Sequence, residues 1–197
     1  MNEKPIIFNG DMVRAVLAGR KTQTRRPLTP QPVLEDGLWR WETGAWSDGS
    51  NPIVLPGHGM HNCAAYHADD RLWIKETWAL QTGDGPDEGT CYAIYRADKD
   101  EQPSGRWGSA IHMPRTVART FLRVKSVRVE RVQDITELDA LAEGITAGTR
   151  GYPLTDHPGV HVRLFARLWD DIYAKQGRGW AANPWVWLIE FEPEVQA

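Results

Sequence analysis

The sequence is poor in cysteine and has no long apolar segment. Cys63 and Cys91 are its two cysteines, too few for a disulfide framework. No stretch approaches the roughly 20 apolar residues that a membrane-spanning helix needs. The first residues also lack the apolar core of a signal peptide. We therefore expect a cytoplasmic protein with reduced thiols and no membrane partner.

Neither sign of charge dominates, yet the charges are unevenly distributed. The formal net charge of −3 argues against a polycation that coats nucleic acid. Positive charges collect in residues 19–26 and 114–131, whereas acidic residues collect between Asp84 and Glu101. This clustering indicates a local site for an anion such as phosphate or carboxylate. The alternative is that the arginines form a solvated face.

Hydrophobic periodicity predicts an α+β fold that is mainly β. Apolar runs predict strands within residues 5–8, 71–80, 91–97, 119–133 and 184–193. Helical spacing predicts helices within residues 12–17, 138–144 and 162–173. Gly19 is a natural stop for the first helix, and Thr136 with Asp139 resembles a capping box before the second. In the strand at 119–133 the apolar phase changes at Ser126, which predicts a bulge or tight bend.

We expect the whole chain, residues 1–197, to form a single domain with insertion loops at about 29–67 and 81–90. The first of these segments is rich in proline, glycine and asparagine, and it contains a candidate hairpin around the sequence LWRWETGAW.

The segment GRKTQTRR, residues 19–26, carries the first candidate site. Lys21 and Thr24 are three residues apart, so on a helical turn their side chains lie on the same side. A hydroxyl beside an amine is a candidate nucleophile with its base. Neighbouring arginines, among them Arg25 and Arg26, would lower the pKa of Lys21. The alternative is a solvated basic turn or a phosphate contact.

Glu76 is the second candidate. It lies among Trp73, Ile74 and Trp78, where a charge is costly unless it has a partner. The expected partner is a cation, either Lys21 or an arginine. The uneven alternation of apolar residues also predicts a bulge near Glu76. The alternative is that Glu76 faces solvent from an ordinary strand.

Histidine and cysteine residues around position 60 suggest a metal site only weakly. The spacing of His58, His61, Cys63 and His67, with Cys91 further along, matches no strong zinc motif. We therefore predict no metal site and no cofactor.

The arrangement of several segments resembles the ASCH (activating signal cointegrator homology) domains. The resemblance begins in PIIFNGDMVRAVLAGRKTQTRR, which carries G-x-K-x-x-T-x-R at Gly19, Lys21, Thr24 and Arg26. It continues in DRLWIKETW (70–78), IHMPR (111–115), DITELDALAEGI (134–145) and residues 168–191, in the form found in phage and prophage genomes. It spans nearly the whole chain and is weakest at 33–60 and 81–90. The resemblance implies a PUA-like small β-barrel with flanking helices.

This resemblance also implies an activity. One bacterial branch of the family removes the acetyl group of N4-acetylcytidine, and its catalytic lysine, threonine and glutamate are carried over to Lys21, Thr24 and Glu76. Thr24 would attack the acyl carbonyl, while Lys21 and Glu76 would share proton removal and oxyanion stabilisation. Contacts with the substrate are expected from Arg25, Arg26, Trp78, His112 and Arg115.

Two departures from the family pattern bear on the substrate. The chain has Asp69-Asp70 where family members usually have Gly-Asp, so the turn leading to Glu76 is expected to differ. The chain is also much longer than the compact amidohydrolases, so its extra loop is expected to narrow or cover the site.

Two other functions stay open at this stage. A non-catalytic RNA-binding PUA-like module would use the basic strand from Arg115 to Arg131 to follow phosphates. A ribonuclease is the third option, although no His/His or His/Lys cleavage pair is evident. The expected partner is accordingly a modified nucleoside or RNA, in the cytoplasm of a bacterial host if the gene belongs to a phage or prophage.

Overall fold

The computed structural model describes residues 3–35, 38–40, 46–47, 66–83, 89–98, 102–146 and 158–194. The chain forms two compact units. Unit 1 comprises Met1–Arg20, Asp69–Arg123 and Glu192–Ala197, and unit 2 comprises Lys21–Ala68 and Val124–Phe191. None of the helices in the described ranges is long and apolar enough to cross a membrane.

Strands outnumber helices in the described residues. The strands are β1 (Glu3–Ile7), β2 (Gln23–Pro27), β3 (Val33–Glu35), β4 (Leu38–Arg40), β5 (Trp46–Ser47), β6 (Arg71–Lys75), β7 (Trp78–Thr82), β8 (Cys91–Tyr95), β9 (Phe121–Arg131) and β10 (Trp185–Pro193). The helices are α1 (Gly10–Leu17), α2 (Glu137–Ala142) and α3 (Val160–Tyr173). The predicted α+β, mainly β class is confirmed.

Unit 1 contains a mixed sheet. Strand β1 runs parallel to β6, and β6 runs antiparallel to the first residues of β9. Leu72 and Ile74 alternate with more exposed residues along β6 and are buried, as a sheet with one covered face requires. Strands β7 and β8 form a separate antiparallel pair.

The turn before β6 contains the Asp69-Asp70 departure from the family pattern. Asp69 has a φ of 67°, in the left-handed region that glycine favours and that aspartate tolerates better than most residues. Asp70 is buried and accepts a hydrogen bond from Lys4 Nζ at 2.7 Å. An aspartate therefore occupies a backbone conformation that glycine favours.

A glycine ends α1. Gly19 has a φ of 68°, and its N–H bonds to the Val16 carbonyl while the Arg20 N–H bonds to the Ala15 carbonyl. This pair of bonds is the Schellman arrangement, which satisfies carbonyls that the end of a helix leaves without partners. The stop that the sequence predicts at Gly19 is confirmed.

Unit 2 combines an antiparallel pair, β10 with β2, with helices α2 and α3. Helix α2 begins at Thr136, where Thr136 and Asp139 form the predicted capping box. The apolar core of unit 2 consists of Val132, Ile135, Ala140, Ile145, Phe165, Trp169 and Val186. A small three-stranded sheet, β3–β4–β5, lies within the segment predicted as an insertion, and its β4–β5 pair confirms the expected hairpin.

Strand β9 shows the predicted change of phase. Leu122 and Val124 are buried at even positions, whereas Val129 is buried at an odd position. The residues between them are partly or fully exposed. One continuous strand thus changes its covered side near Ser126.

Two predicted elements differ from the structure. The strand expected at 71–80 is divided into β6 and β7, and Glu76 and Thr77 lie between them. The segment GRKTQTRR is not a helical turn, because residues from Gln23 onward pair with β10 as β2. Its polar residues fit either periodicity, and the pairing with β10 selects the strand.

Candidate active site

Lys21 lies in the interior of unit 2. Its side chain is 0% exposed, and Nζ donates to Glu143 Oε2 at 2.7 Å, to the Glu143 carbonyl at 3.0 Å and to the Gln23 carbonyl at 2.9 Å. Three acceptors match the three hydrogens of an ammonium group. The backbone bond from Thr22 N to the Ala142 carbonyl fixes the segment beside the end of α2. These three hydrogen bonds therefore favour the charged form of Lys21.

Opposing effects act on the pKa of Lys21. Burial lowers this pKa, the Glu143 carboxylate raises it through charge and a hydrogen bond, and Arg26 and Arg25 lower it further. The net direction is downward. The arginines act in the predicted direction, but burial is the larger cause.

Glu143 joins Lys21 to a second buried cation. Its Oε1 accepts from Arg25 Nη1 at 3.2 Å, and Arg25 Nε donates to Glu130 at 2.7 Å. Arg25 is 2% exposed. A residue predicted to contact substrate is therefore buried in ion pairs that hold α2 and β9.

Asp139 extends the same network to the start of α2. One carboxylate oxygen accepts from the Thr136 backbone and hydroxyl, and the other accepts from Gln23 Nε2 at 3.1 Å. The capping carboxylate of the helix is therefore also a contact to β2.

Thr24 is buried but differs from Lys21 in orientation. Side chains alternate along a strand, so Thr24 and Arg26 face away from the side occupied by Gln23 and Arg25. The contacts of Lys21 with Glu143 put its amine on the Arg25 side. The Thr24 hydroxyl has no hydrogen-bond partner in the described ranges. The expectation that Lys21 and Thr24 share one side of a helical turn is thus wrong, because the segment is extended.

Glu76 lies in unit 1, and its carboxylate is 1% exposed. Arg119 binds it with two bonds, Nε to Oε1 at 2.9 Å and Nη2 to Oε2 at 3.1 Å. Burial raises the pKa of Glu76, Arg119 lowers it, and Asp98 raises it, with a net upward direction. The expectation that a buried Glu76 has a cationic partner is confirmed, and the partner is an arginine.

Arg119 is itself held in place. It donates to Asp98 through Nη1 at 2.6 Å and Nη2 at 3.1 Å, and its guanidinium carbon lies 3.9 Å from the centre of the Tyr95 ring. The hydroxyl of Tyr95 is in turn bonded to the Val117 carbonyl at 2.6 Å. Glu76 therefore belongs to a rigid group of charged and aromatic side chains.

The other predicted substrate contacts differ in exposure. Trp78 is partly buried, and its indole N–H has no partner among the described residues. His112 is exposed at the end of a short 3₁₀ turn, Ala110–His112. Arg115 is exposed and binds Glu3 at 2.8 and 2.9 Å. Arg26 is partly buried and donates to the Arg25 carbonyl.

Four of the basic residues predicted to follow phosphates have carboxylate partners, whereas Arg131 donates to the Asn183 carbonyl. Arg123 pairs with Glu194 at 3.2 Å in unit 1, and Arg128 pairs with Glu190 in unit 2. Because Arg115 and Arg119 are paired as well, an anion would have to compete with carboxylates for these groups.

Sequence reasoning missed Glu143 and Arg119. Glu143 ends the capped helix in the segment DITELDALAEGI, but it is 122 residues from Lys21, so no spacing joins the two. Of the candidate metal ligands, His58, His61 and Cys63 lie outside the described residues. Cys91 is an exposed free thiol, and the described residues contain no cluster of three metal-binding side chains.

Two solved structures are similar to this chain. The ASCH domain from Lactobacillus crispatus JV V101 aligns with 98% of this chain and 79% of its own, with 10% identity and a TM-score of 0.38. A protein from Enterococcus faecalis V583, described by the family model DUF984, aligns with 98% and 80%, with 12% identity and a TM-score of 0.43. No protein-family model and no curated protein matches the chain. An ASCH domain thus occurs among the structural neighbours, while the predicted ASCH resemblance continues to rest on the motifs.

Proposed function

We propose that this protein is an ASCH-type amidohydrolase that acts on N4-acylated cytidine-type substrates, with Lys21 and Glu143 at its centre. One observation carries the proposal: within the G-x-K-x-x-T segment, a lysine with 0% exposure is held by a carboxylate at 2.7 Å. A buried ion pair adds little net stability, because desolvation of both charges offsets their attraction. A catalytic role gives a reason for this arrangement.

The contacts of the pair suggest its roles. An ammonium that already donates three hydrogen bonds is a poor base, and its charge suits stabilisation of a developing oxyanion. Glu143 is the group that can accept a proton. The nucleophile oxygen would form a bond to the acyl carbon and pass its proton to Glu143. That proton would then go to N4 as the bond between the acyl carbon and N4 breaks, releasing the free amine of the base.

Two nucleophiles fit this scheme. The buried Thr24 hydroxyl without a partner supports an acyl-enzyme that water later hydrolyses. The extended geometry of β2, with Thr24 and Arg25 on opposite faces, favours a water molecule activated by Glu143 instead. Glu76 is retained as a predicted catalytic residue, although Arg119 already satisfies its carboxylate.

The test is incubation of the purified protein with N4-acetylcytidine, with cytidine followed by chromatography. We expect turnover by the wild type and a loss of at least about 100-fold in Glu143→Gln, as for removal of a general base. Asp69→Asn, which also converts a carboxylate to an amide but at an exposed position whose left-handed backbone asparagine tolerates, serves as the matched control. Absence of turnover by the wild type would refute the proposal for this substrate.

Two further variants separate the roles. If Thr24 is the nucleophile, Thr24→Val abolishes turnover, and mass spectrometry of the wild type detects an added acetyl group. If water is the nucleophile, Thr24→Val remains active. Glu76→Gln loses activity in the way Glu143→Gln does only if Glu76 takes part in the proton transfer.

The RNA-binding alternative has narrower support, because four of the arginines that would contact phosphate already have carboxylate partners. It predicts RNA affinity that falls steeply with salt. RNA that stays intact on incubation argues against the ribonuclease.

A further inference from the structure

Strand β8 lies at the edge of a sheet in unit 1. Within the described part of the chain, β8 pairs with β7 alone, and no third strand continues this sheet. Bonds from Gly83 N–H to the Thr90 carbonyl and from Arg96 N–H to the Thr77 carbonyl lie at the two ends of the pair. Because bonded and non-bonded pairs alternate in an antiparallel ladder, the even-numbered residues of β8 exchange bonds with β7. Its odd-numbered residues therefore direct their N–H and C=O groups away from β7.

The outward backbone groups are open over a short stretch of β8. Cys91 and Ala93 each direct one donor and one acceptor outward, and Cys91 and the intervening Tyr92 are exposed. Further along, the Tyr95 carbonyl already accepts from Asp98 N–H at 2.9 Å, where the chain turns away. The open stretch in which both backbone groups can form new bonds is therefore Cys91–Ala93.

This edge lacks features that usually prevent further pairing. Natural edge strands are protected by charged side chains, proline or bulges. The sequence of β8, CYAIY, contains no charged residue and no proline, and its pairing with β7 has no bulge. A two-stranded sheet is also only marginally stable by itself, and the large side chain of Tyr92 is 48% exposed. An additional strand is therefore the kind of partner that this edge fits.

We propose that β8 pairs with β8 of a second copy of this chain, antiparallel and about a two-fold axis at Tyr92. In this register Cys91 of one copy lies opposite Ala93 of the other, so each outward N–H of the open stretch meets a C=O. The two Tyr92 side chains lie opposite each other in a non-bonded pair, which is the closer kind, so their rings come into contact. The segment carries no charge, so the two copies do not repel each other there.

A second copy matches this edge better than an unrelated peptide does. Recognition of a foreign strand takes its specificity from pockets for alternate side chains. Two copies of Cys91–Ala93 instead satisfy each other's backbone groups by symmetry alone. The contact is small, because stable interfaces use about 20–30 residues a side, so we expect weak and reversible association. This inference concerns unit 1 and does not rest on the proposed function.

Sedimentation equilibrium of the full chain, at about 10 μM to 1 mM with a thiol reductant, tests the proposal. We expect the average mass of the wild type to rise with concentration. Tyr92→Lys and Tyr92→Glu each place like charges opposite each other, so each alone should associate at least about fivefold more weakly. An equal mixture of the two should associate at least about fivefold more tightly than either alone, since an ammonium then faces a carboxylate. Leu138→Lys and Leu138→Glu, at a 78% exposed position on α2, are the matched controls and should associate like the wild type.

Amide exchange identifies the paired residues without any substitution. The Cys91 and Ala93 N–H groups should exchange more slowly as protein concentration rises, whereas those of Tyr92 and Ile94, bonded to β7, should be protected at every concentration. Concentration-independent exchange at Cys91 and Ala93 would overturn the proposal, as would a monomeric wild type or association that the reductant abolishes. A mixture of the Tyr92 variants that associates no better than either alone, or Leu138 variants that lose association, would overturn it as well.

Discussion

Replacing Glu143 with alanine leaves the Lys21 ammonium buried without its carboxylate. The substitution removes the 2.7 Å contact to Lys21 and the 3.2 Å contact to Arg25. Removal of one partner from a buried pair costs about 3–5 kcal/mol, because the remaining charge is neither hydrated nor neutralised. For a chain of this length, that cost corresponds to a fall in Tm of about 6–20 °C. Glu143→Gln keeps an acceptor and should cost about 1–3 kcal/mol.

Urea denaturation followed by circular dichroism measures these differences, provided that the m-value is unchanged. Asp69→Asn, at an exposed position, should change the free energy of unfolding by less than about 0.5 kcal/mol, because asparagine also tolerates the positive φ. The double variant Lys21→Met/Glu143→Ala also removes the buried ammonium that Glu143→Ala leaves without a carboxylate, so it should be more stable than Glu143→Ala alone. The reasoning is refuted if Glu143→Ala matches the wild type or if the double variant recovers nothing.

The Glu143→Gln variant should also change how stability depends on pH. Glu143 raises the pKa of Lys21 against the effect of burial, so Glu143→Gln should lower this pKa further. A folded-state pKa below the unfolded value of 10.5 means that the unfolded chain binds more protons in that window. Between the folded and unfolded pKa values of Lys21, the free energy of unfolding therefore rises with pH, and it rises more steeply in Glu143→Gln than in the wild type. Side-chain NMR of labelled lysine reports the pKa directly, and an unchanged value would contradict the assigned contact.

Three further predictions concern other parts of the fold. Arg119→Met should raise the already elevated pKa of Glu76, so stability should fall more as pH rises above 4.5; a ¹³C carboxyl titration that shows no upward shift contradicts this. Glu137 accepts the His161 and Val162 N–H groups in the first turn of α3, so Glu137→Gln should cost about 1 kcal/mol at pH 7. Burial raises the pKa of Glu137, but these bonds lower it more, and the pKa lies below 4.5. The difference in stability between Glu137→Gln and the wild type should therefore disappear as pH falls through that lowered pKa, which denaturation at pH 7 and pH 3 tests. Gly19→Ala should cost about 1 kcal/mol from the positive φ alone, because the added methyl group meets no atom within 4 Å; an unchanged Tm contradicts it.

Features encoded by neighbouring residues could be predicted from the sequence. The capping box of α2 needs only Thr136 and Asp139, and the phase change in β9 is visible in the apolar residues on either side of Ser126. Both depend on interactions within a few residues. Such local patterns can be recognised in the sequence because the residues that form them are already neighbours along the chain.

The candidate site could be predicted only in part. The sequence indicates Lys21 as a site residue, but it cannot indicate which distant carboxylate meets it. Glu76, in an apolar segment, is paired with Arg119, whereas Glu143, at the end of a short helix, reaches the amine. The choice depends on the packing of α2 against the start of β2, a long-range contact that periodicity does not encode. The strand character of residues 23–27 has the same origin, because β10 supplies their hydrogen-bond partners.

The shared carboxylate of Asp139 links local opening of α2 to that of β2. If the first turn of the helix frays, the bond to Gln23 is lost with it, and the edge of the strand next to Lys21 loosens. The backbone amides of both segments should therefore exchange with solvent as one cooperative unit. A mutation at the first turn of this six-residue helix should in this way also speed the exchange of the β2 amides next to Lys21.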